Sequence, residues 1–281
     1  MKIDLHIHTT ASDGRLSPAE VVGKAAKLGM KAIAITDHDS VGGIDAALDE
    51  SRKFPDLLFI PGVELSTDGY PSEIHILGYF VDHRSTEFCH KLEVFRSSRV
   101  TRGDRMVAKL ADLGVQLDWE HILRLAEGAS IGRPHIAQAM LARGYVSSFG
   151  EAFEKYIGRD KPAYVEREKL SWSESIELIV KAGGLPVLAH PAEIEELETL
   201  IPRFKQEGLV GMEVYYKGYN RETTEWLGNL ANKHGLIDCG GTDYHGFAGV
   251  GGEIGEIDVP QDSVDRLVAL AKQRKSASIA G

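Results

Sequence analysis

KIDLHIH, residues 2–8, has the alternation of a β-strand with one apolar and one polar face. Successive side chains of a strand point to opposite faces, so the isoleucines and the leucine are expected to share one face. His6 and His8 then share the other face with Asp4. A single histidine in a strand is more often structural than functional, so the pattern of the other strands decides between the two.

Six further apolar runs rich in Ile, Val and Leu follow this strand, most of them with a helical pattern behind them. After the first run, Ser17 and Glu20 form a predicted capping box around Pro18, and Gly29 marks the end of a helix. Alternating strands and helices are typical of a parallel sheet and predict an α/β barrel-like domain. The seven predicted strands are residues 2–8, 32–39, 57–65, 73–80, 186–191, 211–216 and 237–245.

The chain between the fourth and fifth runs shows only amphipathic helical patterns. Residues 83–169 carry 15 Lys and Arg against 12 Asp and Glu, whereas the whole chain has a formal net charge of −10. This balance fits scattered charges on solvated helices as well as it fits a functional surface. The sequence therefore predicts a barrel formed by residues 1–82 and 170–281, with a helical insert at residues 83–169 that caps the substrate site.

Composition argues against several classes of function. The 281 residues are 43% apolar and 26% charged, as in a globular protein. The negative net charge argues against binding to long duplex nucleic acid. No stretch reaches the roughly 18 apolar residues of a membrane helix, and no signal-peptide pattern opens the chain, so a cytoplasmic location is expected. The spacing of Cys89 and Cys239 fits neither a disulfide framework nor a redox motif.

Most of the predicted strands end in a residue that can bind a metal ion. The carboxyl ends of parallel strands meet at one mouth of a barrel, so these side chains are expected to lie together. The candidate ligands are His6, His8, Asp13, His38, Glu64, His75, His190, Asp243 and His245. Clustered buried carboxylates repel one another unless cations are present. Mixed imidazole and carboxylate donors suit Mn²⁺, Fe²⁺ or Zn²⁺, and nine ligands exceed the need of one ion.

These residues and their neighbours resemble the motif set of the PHP family, named for polymerase and histidinol phosphatase. The resemblance covers the chain outside the insert. It implies a distorted, seven-stranded, TIM-like (β/α) barrel that holds three divalent ions, most often manganese and otherwise iron or zinc. The motifs are His6-Ile7-His8, Asp13, Thr36-Asp37-His38-Asp39, Gly62-Val63-Glu64, His75, Ala189-His190-Pro191 and Gly241-Thr242-Asp243-Tyr244-His245.

The resemblance also distributes the ligands among the three ions. The first ion would be bound by His6, His8, Glu64 and Asp243, the second by Glu64, His75 and His190, and the third by Asp13, His38 and His245. We further expect Asp37 and Asp39 to accept hydrogen bonds from ligand imidazoles. Asp39 could equally cap a helix that begins near Gly42 and Gly43.

Hydrolysis of phosphate esters is the predicted reaction. A cluster of divalent ions lowers the pKa of water and holds the attacking and leaving oxygens of a phosphate ester in line. Asp243 and His245 are the candidate catalytic residues, because their position beside the cluster would let them transfer a proton. Neither is assigned as the general acid.

Two segments of the insert carry candidate phosphate contacts, Arg133 with His135 in one and Lys161 in the other. Guanidinium and ammonium groups bind phosphate, so these three are the predicted substrate-binding residues. On the residues alone, Pro134 could instead start a helix and leave Arg133 in solvent. Both segments are similar to those of a PHP subgroup that removes the 3′-phosphate of nucleoside 3′,5′-bisphosphates, and whose relatives trim short RNA from the 5′ end.

The predicted partner is a small phosphorylated nucleotide or a short oligoribonucleotide, on whose base Tyr215 or Tyr216 could stack unless they pack in the barrel. Histidinol phosphate phosphatase is the alternative that uses the same chemistry. A non-catalytic, polymerase-associated binding module is disfavoured because every ligand position is filled. An amidohydrolase would normally carry a bridging lysine, and no predicted strand ends in one.

Overall fold

The computed structural model describes residues 2–68, 74–126, 131–166, 170–247 and 250–280. A single sheet forms its centre. The strands are β1 (Lys2–Ile7), β2 (Met30–Ile35), β3 (Leu58–Asp68), β4 (Ile74–Tyr79), β5 (Leu170–Ser171), β6 (Leu185–Leu188), β7 (Gly211–Tyr216) and β8 (Ile237–Gly241). Seven strands follow the order β1-β2-β3-β4-β6-β7-β8, and the short β5 pairs with β3 outside that order. The predicted seven-stranded α/β barrel is confirmed.

The barrel closes between its first and last strands through backbone hydrogen bonds. His8 N donates to Tyr244 O at 2.8 Å, and Tyr244 N donates to His6 O at 3.3 Å. On the other side of β1, Thr36 N donates to Ile7 O at 2.9 Å. The chain segments that follow β1, β2 and β8 therefore lie side by side at one mouth of the barrel.

Strand β4 departs from the predicted parallel arrangement. It pairs antiparallel with both β3 and β6, whereas the pairs β1–β2, β2–β3, β6–β7 and β7–β8 are parallel. The sequence separation between β3 and β4, residues 69–73, is too short for a parallel crossover, which needs a dozen residues or more. His75 consequently reaches the mouth of the barrel from the amino-terminal end of its strand.

Strand β1 keeps the predicted alternation only in part. Ile3 and Leu5 pack in one hydrophobic cluster, whereas Ile7 packs in a second cluster. The pairing of β1 with β2 shifts register between Asp4 and Ile7. The predicted pairing of the two imidazoles is nevertheless observed, because the Nε2 atoms of His6 and His8 lie 3.1 Å apart.

Helices cover the outside of the barrel and form the insert. Within the described residues they are α1 (Pro18–Lys27), α2 (Ile44–Ser51), α3 (Thr86–Asp112), α4 (Trp119–Leu125), α5 (Arg133–Ala142), α6 (Phe149–Ala152), α7 (Trp172–Lys181), α8 (Leu197–Glu207), α9 (Arg221–His234) and α10 (Gln261–Ala280). A π-helical turn, Phe153–Ile157, continues α6. The predicted capping box of α1 is present, since Ser17 and Glu20 bond reciprocally. In the part of the chain that the structure describes, no helix has the length and apolar character needed to cross a membrane.

The helical insert has a hydrophobic core of its own, in which Leu110 of α3 packs in one cluster with Met140 of α5. Near the start of α3, Phe88 belongs instead to the core of the barrel. Helix α3 therefore connects the two cores as one continuous element. The limits 83–169 of the insert stay a prediction, and Lys169 lies outside the described residues.

Candidate metal centre

The predicted ligands converge at one mouth of the barrel. Eight of them form three overlapping groups, within each of which the ligand atoms all lie within 4.8 Å of one another. The groups are His6, His8, Glu64 and Asp243; His38, Glu64 and His75; and His8, Asp13, His38 and His245. The ninth residue, His190, adjoins the second group, with its Nε2 3.2 Å from His75 Nδ1.

Glu64 lies at the centre of the cluster. Its Oε2 is 3.1 Å from His6 Nε2 and 3.1 Å from His8 Nε2. Its Oε1 is 2.7 Å from His75 Nδ1 and 3.3 Å from His190 Nε2. One carboxylate therefore faces imidazoles of two groups, which is the arrangement expected of a ligand shared between two ions.

The grouping differs at two imidazoles from the one that the resemblance implies. His8 Nδ1 lies 3.8 Å from Asp13 Oδ1, so His8 adjoins the Asp13 group as well as its own. His38 Nδ1 lies 3.2 Å from Glu64 Oε2, so His38 joins the Asp13 group to the group around Glu64. The three groups form one continuous cluster.

The two candidate catalytic residues lie at the edge of this cluster. Asp243 Oδ1 is 3.0 Å from His8 Nε2, while its Oδ2 accepts a hydrogen bond from the Tyr216 hydroxyl at 2.8 Å. His245 Nδ1 is 2.9 Å from the backbone oxygen of Asp243, to which it must donate because a carbonyl only accepts. His245 Nε2 faces the cluster and lies 3.5 Å from Asp13 Oδ1.

A cavity of about 170 Å³ opens beside the cluster and is lined by Asp13, His38, Ser66, His75, Arg99, Arg102, Gly132, Arg133, Pro134, Phe153 and His245. Helix α5 does begin at Arg133 and Pro134, but Arg133 lines this cavity and holds its guanidinium 5.5 Å from the centre of the Phe153 ring. Gly132 permits the close approach of the insert, because a Cβ atom there would lie 2.7 Å from Asp13 Oδ2.

The other two predicted substrate contacts lie elsewhere. His135 is buried, accepts a hydrogen bond on Nδ1 from Gly132 N at 3.0 Å, and lines a neighbouring groove of about 610 Å³. Lys161 is exposed on the turn after the π-helical segment and is not among the described residues that line the cavity or the groove. Of the three, Arg133 lines the cavity, His135 interacts electrostatically with Asp13 and His245 from the side of the groove, and Lys161 lines neither.

Comparison with known proteins identifies the family. A model described as the PHP domain matches residues 4–159, just over half of the chain. The chain belongs to the PHP family. This PHP chain is 35% identical over 247 residues to the 5′-3′ exoribonuclease Rnm of Salmonella typhimurium, covering 86% of this chain and 84% of the relative. It is 32% identical over 259 residues to a 3′,5′-nucleoside bisphosphate phosphatase of Chromobacterium violaceum, covering 90% of each.

A solved structure leads to the same family. A Bifidobacterium adolescentis protein, provisionally described as a metal-dependent phosphoesterase, superposes with a TM-score of 0.88 at 30% identity and covers 95% of each chain. The resemblance drawn from the motifs is confirmed. This PHP protein is a hydrolase that acts on phosphate esters.

Burial and opposite charge compete at the carboxylates of the PHP centre. Burial raises the pKa of Glu64, but charged imidazoles beside it, His6 among them, outweigh burial and hold that pKa well below its usual value. Burial likewise raises the pKa of Asp13 and Asp243, and neighbouring imidazoles again lower both pKa values well below the usual one. The buried carboxylates of Glu64 and Asp13 and the partly exposed carboxylate of Asp243 are therefore ionised at neutral pH and require positive charge beside them.

The imidazoles respond in two ways. Burial lowers the pKa of His8, but Asp243 and Glu64 outweigh it and raise that pKa to about 10. Burial lowers the pKa of His38 to about 3, so its imidazole is neutral, as a metal ligand must be. His8 Nδ1 and Asp13 Oδ1 are buried without a hydrogen bond to any described residue. The donor set and these two atoms fit divalent metal ions.

The carboxylates beside the ligands have other tasks than predicted. Asp37 accepts hydrogen bonds from Thr9 and Ser12, so it orders the loop that carries Asp13 instead of an imidazole. Asp39 does not cap α2, whose N-cap is Gly43. It accepts a hydrogen bond from an arginine of the insert, as described below.

Glu213 of β7 is the outer carboxylate that the sequence analysis missed. Its Oε1 lies 3.0 Å from His6 Nδ1, and its Oε2 accepts a hydrogen bond from His190 N at 2.8 Å. It is fully buried and holds the His6 ring with Nε2 directed at Glu64. The signal was available, because Glu213 is the one charged residue in the apolar run of residues 211–216.

Replacing Glu213 by glutamine is expected to weaken metal binding and lower kcat by about 10–100-fold each, the usual cost of losing an outer partner of a metal ligand. Glutamine has no charge and only one oxygen, so it can accept only one of the two hydrogen bonds that Glu213 accepts, from His6 Nδ1 or from His190 N. Metal content after gel filtration and kcat at saturating Mn²⁺ test this. The matched control is Glu222→Gln, an exposed residue of α9. A variant with unchanged metal content and kcat would show that Glu213 does not orient His6.

The two tyrosines at the end of β7 differ in their surroundings. Tyr215 packs against the hydrophobic clusters and donates a hydrogen bond to Asp238 at 3.1 Å. Tyr216 lies in the PHP centre, with its ring centre 5.6 Å from that of His190 and its hydroxyl bonded to Asp243. Packing in the barrel therefore accounts for Tyr215, and contact with the ligands accounts for Tyr216.

Proposed function

We propose that this PHP enzyme removes the 3′-phosphate from nucleoside 3′,5′-bisphosphates, such as adenosine 3′,5′-bisphosphate, and also trims short 5′-phosphorylated RNA from its 5′ end. The observation that supports the proposal most directly is the cavity beside the cluster. Candidate metal ligands, including His38 and His75, line one part of it, and Arg99, Arg102 and Arg133 line another. Such a cavity suits a substrate that carries a second phosphate besides the one that is cut.

We further propose that the nine predicted ligands hold three divalent ions, most readily Mn²⁺, with Fe²⁺ and Zn²⁺ as the alternatives that the donors accept. Bound ions of this kind would lower the pKa of water and offset the charge of the phosphoryl group. The roles of individual residues around the ions follow from the contacts that these residues make. Glu64 is shared between groups, Glu213 orients His6, and Tyr216 holds Asp243 by its second oxygen.

Proton transfer by Asp243 and His245 stays part of the proposal. His245 has its Nδ1 hydrogen committed to a backbone oxygen, so only Nε2 can exchange a proton with the cavity. Asp243 has Oδ2 occupied by Tyr216, so only Oδ1 faces the cluster. Asp243 and His245 are also predicted metal ligands. An atom that binds an ion cannot exchange a proton at the same time, so the two roles compete.

The helical insert would supply the contacts that select the substrate. Arg133 is the residue best placed for the uncut phosphate, since it lines the cavity at the start of α5. His135 faces the neighbouring groove, which is also lined by Phe149 and Phe247. That groove would accept the nucleoside or the next nucleotide of an RNA. Lys161 would contribute only a distant charge.

A comparison of substrates tests the proposal. Purified enzyme with Mn²⁺ is offered adenosine 3′,5′-bisphosphate, histidinol phosphate and a short 5′-phosphorylated oligoribonucleotide, and the release of phosphate or of mononucleotide is measured. The highest kcat/KM is expected for the bisphosphate. A higher kcat/KM for histidinol phosphate would replace the proposed substrate by the alternative.

Replacing Arg133 by alanine is expected to raise KM for adenosine 3′,5′-bisphosphate by about 10-fold or more, because a hydrogen bond to a charged group contributes about 1.5–3 kcal/mol. The KM for an aryl phosphate without a second phosphate should barely change. Arg143→Ala is the matched control, an exposed arginine at the other end of α5. Equal effects on both substrates would show that Arg133 does not bind the uncut phosphate.

A further inference from the structure

Arg99 reaches from the helical insert into the mouth of the barrel. It lies on α3, is only 7% exposed, and makes two hydrogen bonds across the interface. Its Nε donates to Asp39 Oδ2 at 2.7 Å, and its Nη2 donates to Ser66 Oγ at 2.9 Å. Both partners belong to the barrel, so one insert side chain holds two barrel segments.

These two segments carry candidate metal ligands. Asp39 directly follows His38, and Ser66 lies two residues after Glu64. The segments run side by side, since Asp39 N donates to Glu64 O at 2.9 Å and Ser66 N donates to Asp39 Oδ1 at 3.3 Å. Arg99 thus bonds to both segments just beyond the point where His38 and Glu64 pair in parallel.

The conformation of Asp39 makes this contact more than a surface ion pair. Its φ of 49° lies in the left-handed region, which residues with a Cβ atom adopt uncommonly, although Asp tolerates it better than most. Its carboxylate is 3% exposed, and a buried carboxylate needs a cation nearby. Arg99 supplies that cation. By bonding to the Asp39 carboxylate it also holds the residue that directly follows His38.

We propose that Arg99 is a positioning residue through which the docked insert controls metal binding. It holds His38 and Glu64 in the geometry that the ions require, so the centre binds metal tightly only while α3 lies on the barrel. The inference rests on the proposed ligand set but not on the proposed nucleotide substrate. Arg99 also lines the cavity, and a direct contact with the substrate is the competing explanation.

The test compares variants of the 281-residue chain for Mn²⁺ affinity, measured by competition with a chelator, and for kcat and KM on an aryl phosphate. Arg99→Met is expected to bind its weakest Mn²⁺ ion about 10–100-fold less tightly than the wild type. Arg99→Lys keeps the charge opposite Asp39 and should recover part of that loss. Arg105→Met, an exposed arginine of the same helix, should keep wild-type affinity.

A double variant separates positioning from stability. In Arg99→Met/Asp39→Asn the charge that Arg99 balances is removed together with the guanidinium, so the thermal midpoint should recover while Mn²⁺ affinity stays low. Wild-type affinity in the folded double variant would overturn the inference, and so would a rise in KM alone in Arg99→Met. Failure of the wild type to hydrolyse bisphosphates would reject the proposed substrate and leave the affinity difference intact.

Discussion

Replacing Glu64 by glutamine is expected to stop turnover almost completely. Among the described residues, Glu64 is the one carboxylate whose two oxygens face imidazoles of different groups, with His75 on one side and His6 and His8 on the other. Glutamine keeps the size of the side chain but has only one oxygen and no charge, so it cannot join two cations. The fall in kcat should exceed the roughly 100-fold upper figure for loss of an outer partner.

Metal content must be measured together with turnover in this variant. We expect fewer bound ions per chain than in the wild type, and a circular dichroism spectrum that is unchanged because the barrel core does not involve Glu64. Glu207→Gln, an exposed glutamate at the end of α8, is the matched control. If Glu64→Gln kept both its ions and a large part of its kcat, Glu64 would not be a shared ligand.

The strands could be predicted because their signals are local. The apolar run of residues 211–216 coincides with β7, and the other six runs each overlap a strand of the ring. The gathering of the ligands followed from topology, since parallel strands present their carboxyl ends together. His75 reached the site by a different route, from the amino-terminal end of an antiparallel strand, and Glu64 lies within β3, which continues to Asp68.

The direction of β4 could not be predicted from periodicity, because periodicity carries no information about strand direction. A run of alternating or continuous apolar residues has the same pattern in either direction. The length of the connection between β3 and β4 did carry the information, because five residues cannot form a crossover between parallel strands. The antiparallel pairing of β3 and β4 was therefore predictable from the short sequence separation between them.

Contacts between segments that are distant in the sequence limit how much of the site can be predicted. Glu213 bonds to His6, 207 residues away, and Arg99 bonds to Asp39, 60 residues away. On a long amphipathic helix such as α3, Arg99 resembles the exposed charges around it, and only the docking of the insert buries it. A metal ligand can be recognised in the sequence by its residue type and its position near the end of a strand. A residue that holds a ligand in place can be recognised only when the fold shows which ligand it contacts.

Removing the metal is expected to abolish hydrolysis and to lower the thermal midpoint by about 5–10 °C for each ion lost. Each ion present at 100 times its dissociation constant stabilises the folded chain by about 2.7 kcal/mol, and 1 kcal/mol shifts the midpoint of a chain of this size by about 2–4 °C. In the chelated protein, protonated imidazoles such as His8 must offset the negative charge of the buried carboxylates, which the ions offset when they are bound. The barrel should remain folded, because its hydrophobic clusters are independent of the centre.

Restoring activity with different ions tests the chemistry of the donors. Mn²⁺, Fe²⁺ and Zn²⁺ should each recover turnover and the thermal midpoint, because all three accept imidazole together with carboxylate. Mg²⁺ prefers oxygen ligands and should recover little of either, since six of the nine candidate ligands are histidines. Full hydrolysis by exhaustively chelated enzyme would remove the metal centre from the reaction. Equal recovery with Mg²⁺ and Mn²⁺ would mean that the imidazoles do not bind the ions on which turnover depends.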